Sequence, residues 1–511
     1  MDTPSSRSFP ELARSIRPWA FGAAIVIALG FHFFFSHAVV GWPLAIFAIL
    51  IAAGTILITQ ECEGLRNRWA LWFLVPLLAA CFSTTLYSSD VVKGVSLFTV
   101  AGSLAALAYW LTAPPVKWRE GVHLWKTNVF LEAALPFRRY QLLFTETNEG
   151  RRINSKLILQ IAIGLLIAGP VLLIFLSLFL EGDRYFNDVM SSWFTFDFMT
   201  VNVVRVFFDL LVAFFASAFF WGIARRSREE AVAREPKTPF QEIVATRSFL
   251  TAIATLFVVF AGFQVFYLFQ GASYLLAQGH TYAEYAVSGY AQLCFAAAFA
   301  FLILLVIYRL TNFEDRWVRI TGQIIAVTSI ISTISAGKRL WLYVDAYSLT
   351  LSRSWGMQFL VLVILLFALL IWSVTRRWNI HQLTTAGTAL TLGLLSITLL
   401  VNHEAIVARY NLSRHMAHQG PELDMTYLVT GLSADAVPTI LSFIHDPNWR
   451  EGHMNWISHE PIEDYWRRGG DYGQFRYLKP GTDPRQLSIS DIQAKQLIEA
   501  LPRPVNYPSA K

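Results

Sequence analysis

Three groups of side chains combine charge with a spacing or a setting that could support binding or proton chemistry. The first is Arg205 and Asp209, four residues apart in an apolar stretch and therefore on one helix face. Ionisable groups inside a bilayer are costly, so this pair either seats one helix against its neighbours or lines a polar pathway. The second is Gln264 with Tyr282, Glu284 and Tyr285. Glu284 falls near the outer end of a span, where a carboxylate at the water boundary costs little. The third is Lys338, Arg339, Tyr343, Asp345, Tyr347 and Arg353, in which Arg339 and Tyr343 are four apart. These could hold an anionic group such as a lipid phosphate, or close an ion pair of Arg339 or Arg353 with Asp345. Either partner would satisfy a buried arginine.

The remaining polar residues point to little chemistry. His415 and His418 lie three apart near Glu422 and Asp424, with His445, His453 and His459 downstream. Histidine and carboxylate ligate zinc well, but neither HExxH nor a cysteine pair accompanies them, so surface histidines are expected and no metal. There is no P-loop, GxGxxG or GxSxG, so no catalytic residue and no cofactor is nominated.

These groups must be positioned by a membrane body. Of 511 residues, 55% are hydrophobic and only 15% are charged, whereas a soluble domain carries about 25% charged residues. About 20 apolar residues cross the hydrocarbon core as a helix. Eleven stretches qualify: 19–36, 39–59, 69–87, 91–112, 157–180, 203–224, 249–276, 290–310, 320–335, 356–374 and 386–401. The stretch at 320–335 is the weakest, being short and rich in Ser and Thr. The expected fold is thus all-α, a polytopic transmembrane bundle with a small extramembrane C-terminal domain.

Charge orients it. The net +6 comes from 41 Lys and Arg against 35 Asp and Glu, and it is unevenly placed. Basic segments (residues 1–18, Arg66 with Arg68, 117–152, 225–237, 309–319, Arg376 with Arg377) alternate with loops nearly free of Lys and Arg. That alternation is the positive-inside pattern, and it sets the N-terminus in the cytoplasm and the tail outside. One segment dissents, because Lys338, Arg339 and Arg353 fall on the outer side. The cytoplasmic loop 113–156 carries an apolar and basic stretch, Val122–Phe144, that reads as an interfacial helix. No cleavable signal peptide is evident, and Cys62, Cys81 and Cys294 have no pairing or metal spacing.

After Val401 the composition turns polar, and residues 402–511 form a separate unit of about a hundred residues, enough for a small domain. Asp435 is expected to cap one helix, with Pro438 in its first turn. Ser490 and Gln493 are expected to form a capping box for a second helix that Pro502 ends. Between them, aromatics such as Trp449, Trp456, Tyr465 and Trp466 read as a small core or interfacial anchors, or else as a stacking surface for sugars or headgroups.

Several blocks resemble a family. Phe263–Tyr267 with Tyr282-Ala283-Glu284-Tyr285, then Leu340–Tyr347 with Leu349-Thr350, then Arg409-Tyr410-Asn411, Leu423-Asp424 and Asp435-Ala436-Val437-Pro438 are similar to a bacterial family of multi-pass membrane proteins. It carries a domain of unknown function of the DUF4173 or DUF4153 type. The resemblance covers roughly residues 150 to 445, with Val287-Ser288 departing where a basic residue is expected. It implies a bacterial inner-membrane protein and marks Arg409, Tyr410, Asn411 and Asp435 as a C-terminal motif, but it implies no activity.

Three functions compete. The first is a non-enzymatic scaffold, sensor or assembly partner. Its expected partners are membrane lipids and, through the C-terminal domain, other envelope proteins, with no nucleic acid. The second is a transporter or lipid- or anion-handling permease, suggested by Arg205, Asp209, Glu284, Arg339 and Asp345, although no internal repeat is visible. The third is a glycosyl- or lipid-transferase, weakened by the lack of an acidic residue in the first outer loop.

Overall fold

Pro76 shows how the chain handles its early spans. It lacks an amide proton, and it sits in the first turn of a helix, where no intrahelical partner is needed. Upstream of it the backbone winds as a tighter turn over Arg68–Phe73 before relaxing into α-helix. The computed structural model describes residues 41–63, 68–112, 153–182, 186–187, 189–190, 243–270, 290–449, 454–455, 462–467 and 487–501. Arg205, Asp209, Tyr282, Glu284, the stretch 122–144 and the candidate spans 19–36 and 203–224 lie outside the described residues.

The helices are α1 (Trp42–Glu63), α2 (Leu74–Leu86), α3 (Asp90–Thr112), α4 (Ile153–Gly182), α5 (Ile243–Gln270) and α6 (Tyr290–Thr311), then α7 (Arg316–Tyr347), α8 (Leu351–Thr375) and α9 (Ile380–Leu399). Polar helix α10 (His403–Met416) follows, then α11 (Val437–Ile444), α12 (Ile462–Arg467) and α13 (Ile489–Ala500). Strands β1 (Leu423–Asp424) and β2 (Met454–Asn455) make a two-residue parallel bridge, Leu423 opposite Met454. The fold is an all-α polytopic bundle. Among the described residues, seven helices are long and apolar enough to cross a membrane. Two more at predicted spans, α1 and α4, are 22 and 30 residues long. Nine of the eleven expected spans thus coincide with helices.

The largest departure is α7. The weak span at 320–335 and the basic segment after it are one 32-residue helix, so Lys338, Arg339, Tyr343 and Asp345 are helical residues and not a loop. Its polar content is absorbed locally. Thr328, Ser329, Ser332 and Thr333 donate their hydroxyls to carbonyls four residues back, at 2.7–3.0 Å, so no hydroxyl is left to demand water inside the span. Asp315 starts the helix by accepting from the amides of Trp317 and Val318, both at 3.0 Å. Trp317 and Trp341, both exposed, lie at roughly 36 Å of axial rise from one another, close to a bilayer core with its interfaces. Arg339 therefore lies near one end of this helix and not at its middle.

The chain divides into two compact units. One comprises residues 118–343 and 359–387. Here α4 meets α5 with no room for a side chain: a Cβ on Gly164 would come within 2.4 Å of the Ala245 carbonyl oxygen. A phenylalanine stack fills the contact further along, with Phe179 lying flat on Phe260 at 3.8 Å and Phe175 meeting Phe257 edge-on at 4.7 Å. Arg247 and Asp315 form a two-pronged ion pair, and Tyr308 donates to the Trp378 carbonyl at 2.7 Å.

The other unit comprises residues 1–117, 344–358 and 388–511. Phe73 stacks on buried Trp110 at 4.6 Å, and the hydroxyls of Ser83 and Ser96 join α2 to α3 at 2.7 Å. The tail's apolar residues share one core: Val407, Leu412, Met425, Val429, Trp466 and Ile498 pack with Val344 and Leu349 of the helical body.

Candidate functional site

Tyr87, Ser88 and Ser89 make the turn between α2 and α3. A turn this short leaves the amides of Ser88 and Ser89 without helical partners, and buried amides need acceptors. Asp435 supplies them. Its Oδ1 accepts from the Ser88 amide at 2.8 Å and its Oδ2 from the Ser89 amide at 3.1 Å. Asp435 is free to do so because it does not cap a helix, contrary to the sequence expectation. Ser433 takes that place, capping the tight turn Ala434–Ala436 that leads into α11, with Pro438 in the first turn of α11 as expected.

The second capping expectation also shifts. The box is Ser488 with Asp491, two residues before the expected pair, because an acidic side chain at the third helical position answers the cap amide. Gln493 is left exposed. The other oxygen of Asp491 then accepts from the Ser88 hydroxyl at 2.7 Å, while Ser490 donates to the Leu86 carbonyl at 2.8 Å. The Tyr87 hydroxyl reaches the Leu400 carbonyl at 2.8 Å, so the turn is bonded on three sides.

A second carboxylate completes the cluster. Glu404, in the first turn of α10, accepts from the Ser433 amide, and Asn402 bridges by donating to the Asp435 carbonyl at 3.0 Å. Glu404 and Asp435 are each only 3% exposed. Burial, and then the Asp435 charge, push the Glu404 carboxyl above the usual range against the bonds from Ser433 and Ser89. Burial likewise raises Asp435, opposed by donors from Ser88, Ser490, Ser89 and Ser433. Both therefore hold protons more tightly when the tail is docked. Their contribution to docking is fullest below the ordinary carboxylate range and fades as pH rises through the elevated values. Tail protection from exchange is thus expected to fall between mildly acidic and neutral pH. In Glu404→Gln the amide oxygen still accepts from Ser433 and the repulsion is gone, so the pH dependence should flatten and neutral-pH protection rise several-fold.

The turn at 348–350 is held similarly. Asn411 both accepts from the Leu349 amide at 2.9 Å and donates to its carbonyl at 2.8 Å, a two-way grip on one residue's backbone. Tyr427 adds its hydroxyl to the Leu351 amide at 2.9 Å. Asp345 pairs with Arg414 at 2.9 Å, and Arg414 also lies over the Tyr410 ring. Gly420, at φ +87°, passes so close to the Arg414 guanidinium that a Cβ would lie 2.8 Å from it. Arg353 turns its guanidinium onto the carbonyls of Tyr347 and Ser348. Arg409 is exposed.

Arg339 is nearly fully buried and donates to Gln264 Oε1 at 2.9 Å, the same oxygen that takes the Ser335 hydroxyl at 2.7 Å. Tyr343 follows one turn on and is half-buried. Sequence reasoning missed Glu404, Arg414, Asp491 and the serines of the 87–89 turn. Only the Ser488–Asp491 spacing was a readable signal. Among the described residues, no three His, Cys, Asp or Glu converge as a metal site.

No curated protein and no solved structure matches the chain. A family match does exist, to Domain of unknown function (DUF4153) over residues 21–443, and it reaches well upstream of the blocks that carried the resemblance. It takes in the 87–89 turn, the Arg339 helix, α10 and Asp435 together, and the chain belongs to the DUF4153 family.

Proposed function

We propose that this chain is a non-enzymatic protein of the bacterial cytoplasmic membrane that presents its C-terminal segment on the outer face as an assembly or sensing element. One observation carries the reading: the tail's polar side chains are spent on gripping two inter-helix turns, at 87–89 and 348–350. A segment bonded this way is positioned as a platform. Among the described residues, Glu404, Asn411 and Asp435 satisfy backbone groups and so are engaged away from any substrate.

The same contacts favour the side assignment. The turns at 87–89 and 348–350 both meet the tail, so an even number of crossings must separate them. The eleven-span count has that parity, the scarcity of basic residues at the 87–89 turn fits an outer face, and Arg353 at the other turn is spent on the carbonyls of Tyr347 and Ser348. Photocrosslinking from exposed tail positions, Asp424 and Ser442, in native membranes tests the proposal. Discrete adducts to another envelope protein are expected, from the outer side of the membrane. Absence of protein adducts, together with solute flux in proteoliposomes, would contradict it.

A permease is the second reading, favoured by buried Arg339 on Gln264 near one end of α7. A cation held in a polar shell at that depth suits recognition of an anionic group.

A further inference from the structure

The outward faces of the two tail helices that begin at span ends change character along their length. On α10 the exposed residues run Ile406, Arg409, Ser413, spaced as one helix face. Ile406 is 46% exposed and lies within two turns of Leu399, the last residue of α9. On α13 the first turn shows Ile489 and Ile492, 45% and 47% exposed, followed on that face by Lys495, Gln496 and Glu499, with Leu497, 41% exposed, on the flank. The Ser490–Leu86 bond ties that first turn to the final residue of α2. On these faces an apolar first turn beside a span end gives way to polar residues, and α10 adjoins a span end at each of its own ends, since Asn411 holds Leu349 and Arg414 pairs with Asp345.

Water is the wrong neighbour for these isoleucines, and the spans they adjoin already expose Phe82, Ile397 and Leu400. Those side chains face lipid if the helices cross, so the apolar surface of the tail continues an apolar surface that meets the bilayer. Arg409 follows Ile406 on the same exposed face, and long basic side chains beside an apolar membrane surface reach for headgroups. We propose that the first turns of α10 and α13 rest in the headgroup region of the bilayer, with Ile406, Ile489 and Ile492 among the upper acyl segments and Arg409 on anionic lipid phosphate. This goes beyond the functional proposal and holds for scaffold and permease alike.

Spin labels test it on the full chain in nanodiscs of phosphatidylcholine with phosphatidylglycerol, with the three native cysteines replaced by alanine. Labels at I406C and I492C should be reached by oxygen and shielded from a water-soluble nickel chelate. A label at Q496C, one turn beyond Ile492 on the same face of α13, should show the reverse. Arg409→Gln should weaken the shielding at I406C in anionic discs and leave it unchanged in pure phosphatidylcholine. Labels at I406C and I492C open to the nickel chelate overturn the proposal. Labels closed to both reagents overturn it too, since they indicate a protein partner over the face. Shielding unaffected by Arg409→Gln removes the arginine's part.

Discussion

Asp435→Ala is expected to detach the C-terminal segment from the 87–89 turn at a cost of about 2–4 kcal/mol, because two amides lose their acceptor where water does not replace it. Relief of the repulsion with Glu404 offsets part of this, which is why the figure stays below the sum of two stranded donors. Asp435→Asn keeps one acceptor and turns a donor toward the second amide, so it should fall between wild type and alanine. Limited proteolysis of membranes reads the effect, as faster cutting in 402–449 while α4 to α6 remain intact. Unchanged cutting in Asp435→Ala would mean that the bonds are incidental and the apolar core alone docks the tail.

The second large effect is expected at Trp466. It is fully buried on six-residue α12, beside Ile462 and Tyr465 and in one core with Ala494 and Ile498 of α13. So short a helix has little stability of its own and depends on packing. Trp466→Ala removes the largest side chain there and leaves a cavity, costing about 3–5 kcal/mol. Amide exchange in 489–500 should accelerate markedly, with Trp466→Phe recovering most of the protection. Comparing the two variants separates the polar grip from the apolar one. The alanine at 435 should free the 87–89 turn first, and the alanine at 466 should free α13 first.

The membrane helices were legible because their signal is long and redundant: some twenty apolar residues in a row leave few alternatives. Where the signal weakened, the reading weakened with it. The Ser- and Thr-rich part of α7 looked like a marginal span ending in a basic loop, since hydropathy treats a hydroxyl as a cost. In the helix that hydroxyl is satisfied four residues back, and the helix runs on through Arg339 to Tyr347.

The site was less legible for a different reason. Asp435 stood out within a family-like block, yet its sequence neighbourhood suggested a cap, and its true partners are more than three hundred residues away. No local pattern in Tyr87-Ser88-Ser89 announces that a distant carboxylate will accept its amides. Glu404 was hidden by its position in the first turn of a helix, where an acidic residue is ordinary. Arg414 stands 69 residues from Asp345 in sequence, whereas Arg339 and Arg353 lie within about two helical turns of it, so spacing favours the wrong arginines. The capping box was missed by two residues because Ser488 and Ser490 both head a plausible helix start, and the reciprocal bond to Asp491 decides between them.

The tail is fastened to the helices before it through the two amides of the 87–89 turn. Amide hydrogen exchange at Ser88 and Ser89, measured on the full chain in nanodiscs, addresses this fastening most directly. Both amides should be strongly protected in the wild type and should exchange freely in Asp435→Ala, with the flanking helices unaffected. Free exchange of both amides in the wild type would contradict the account.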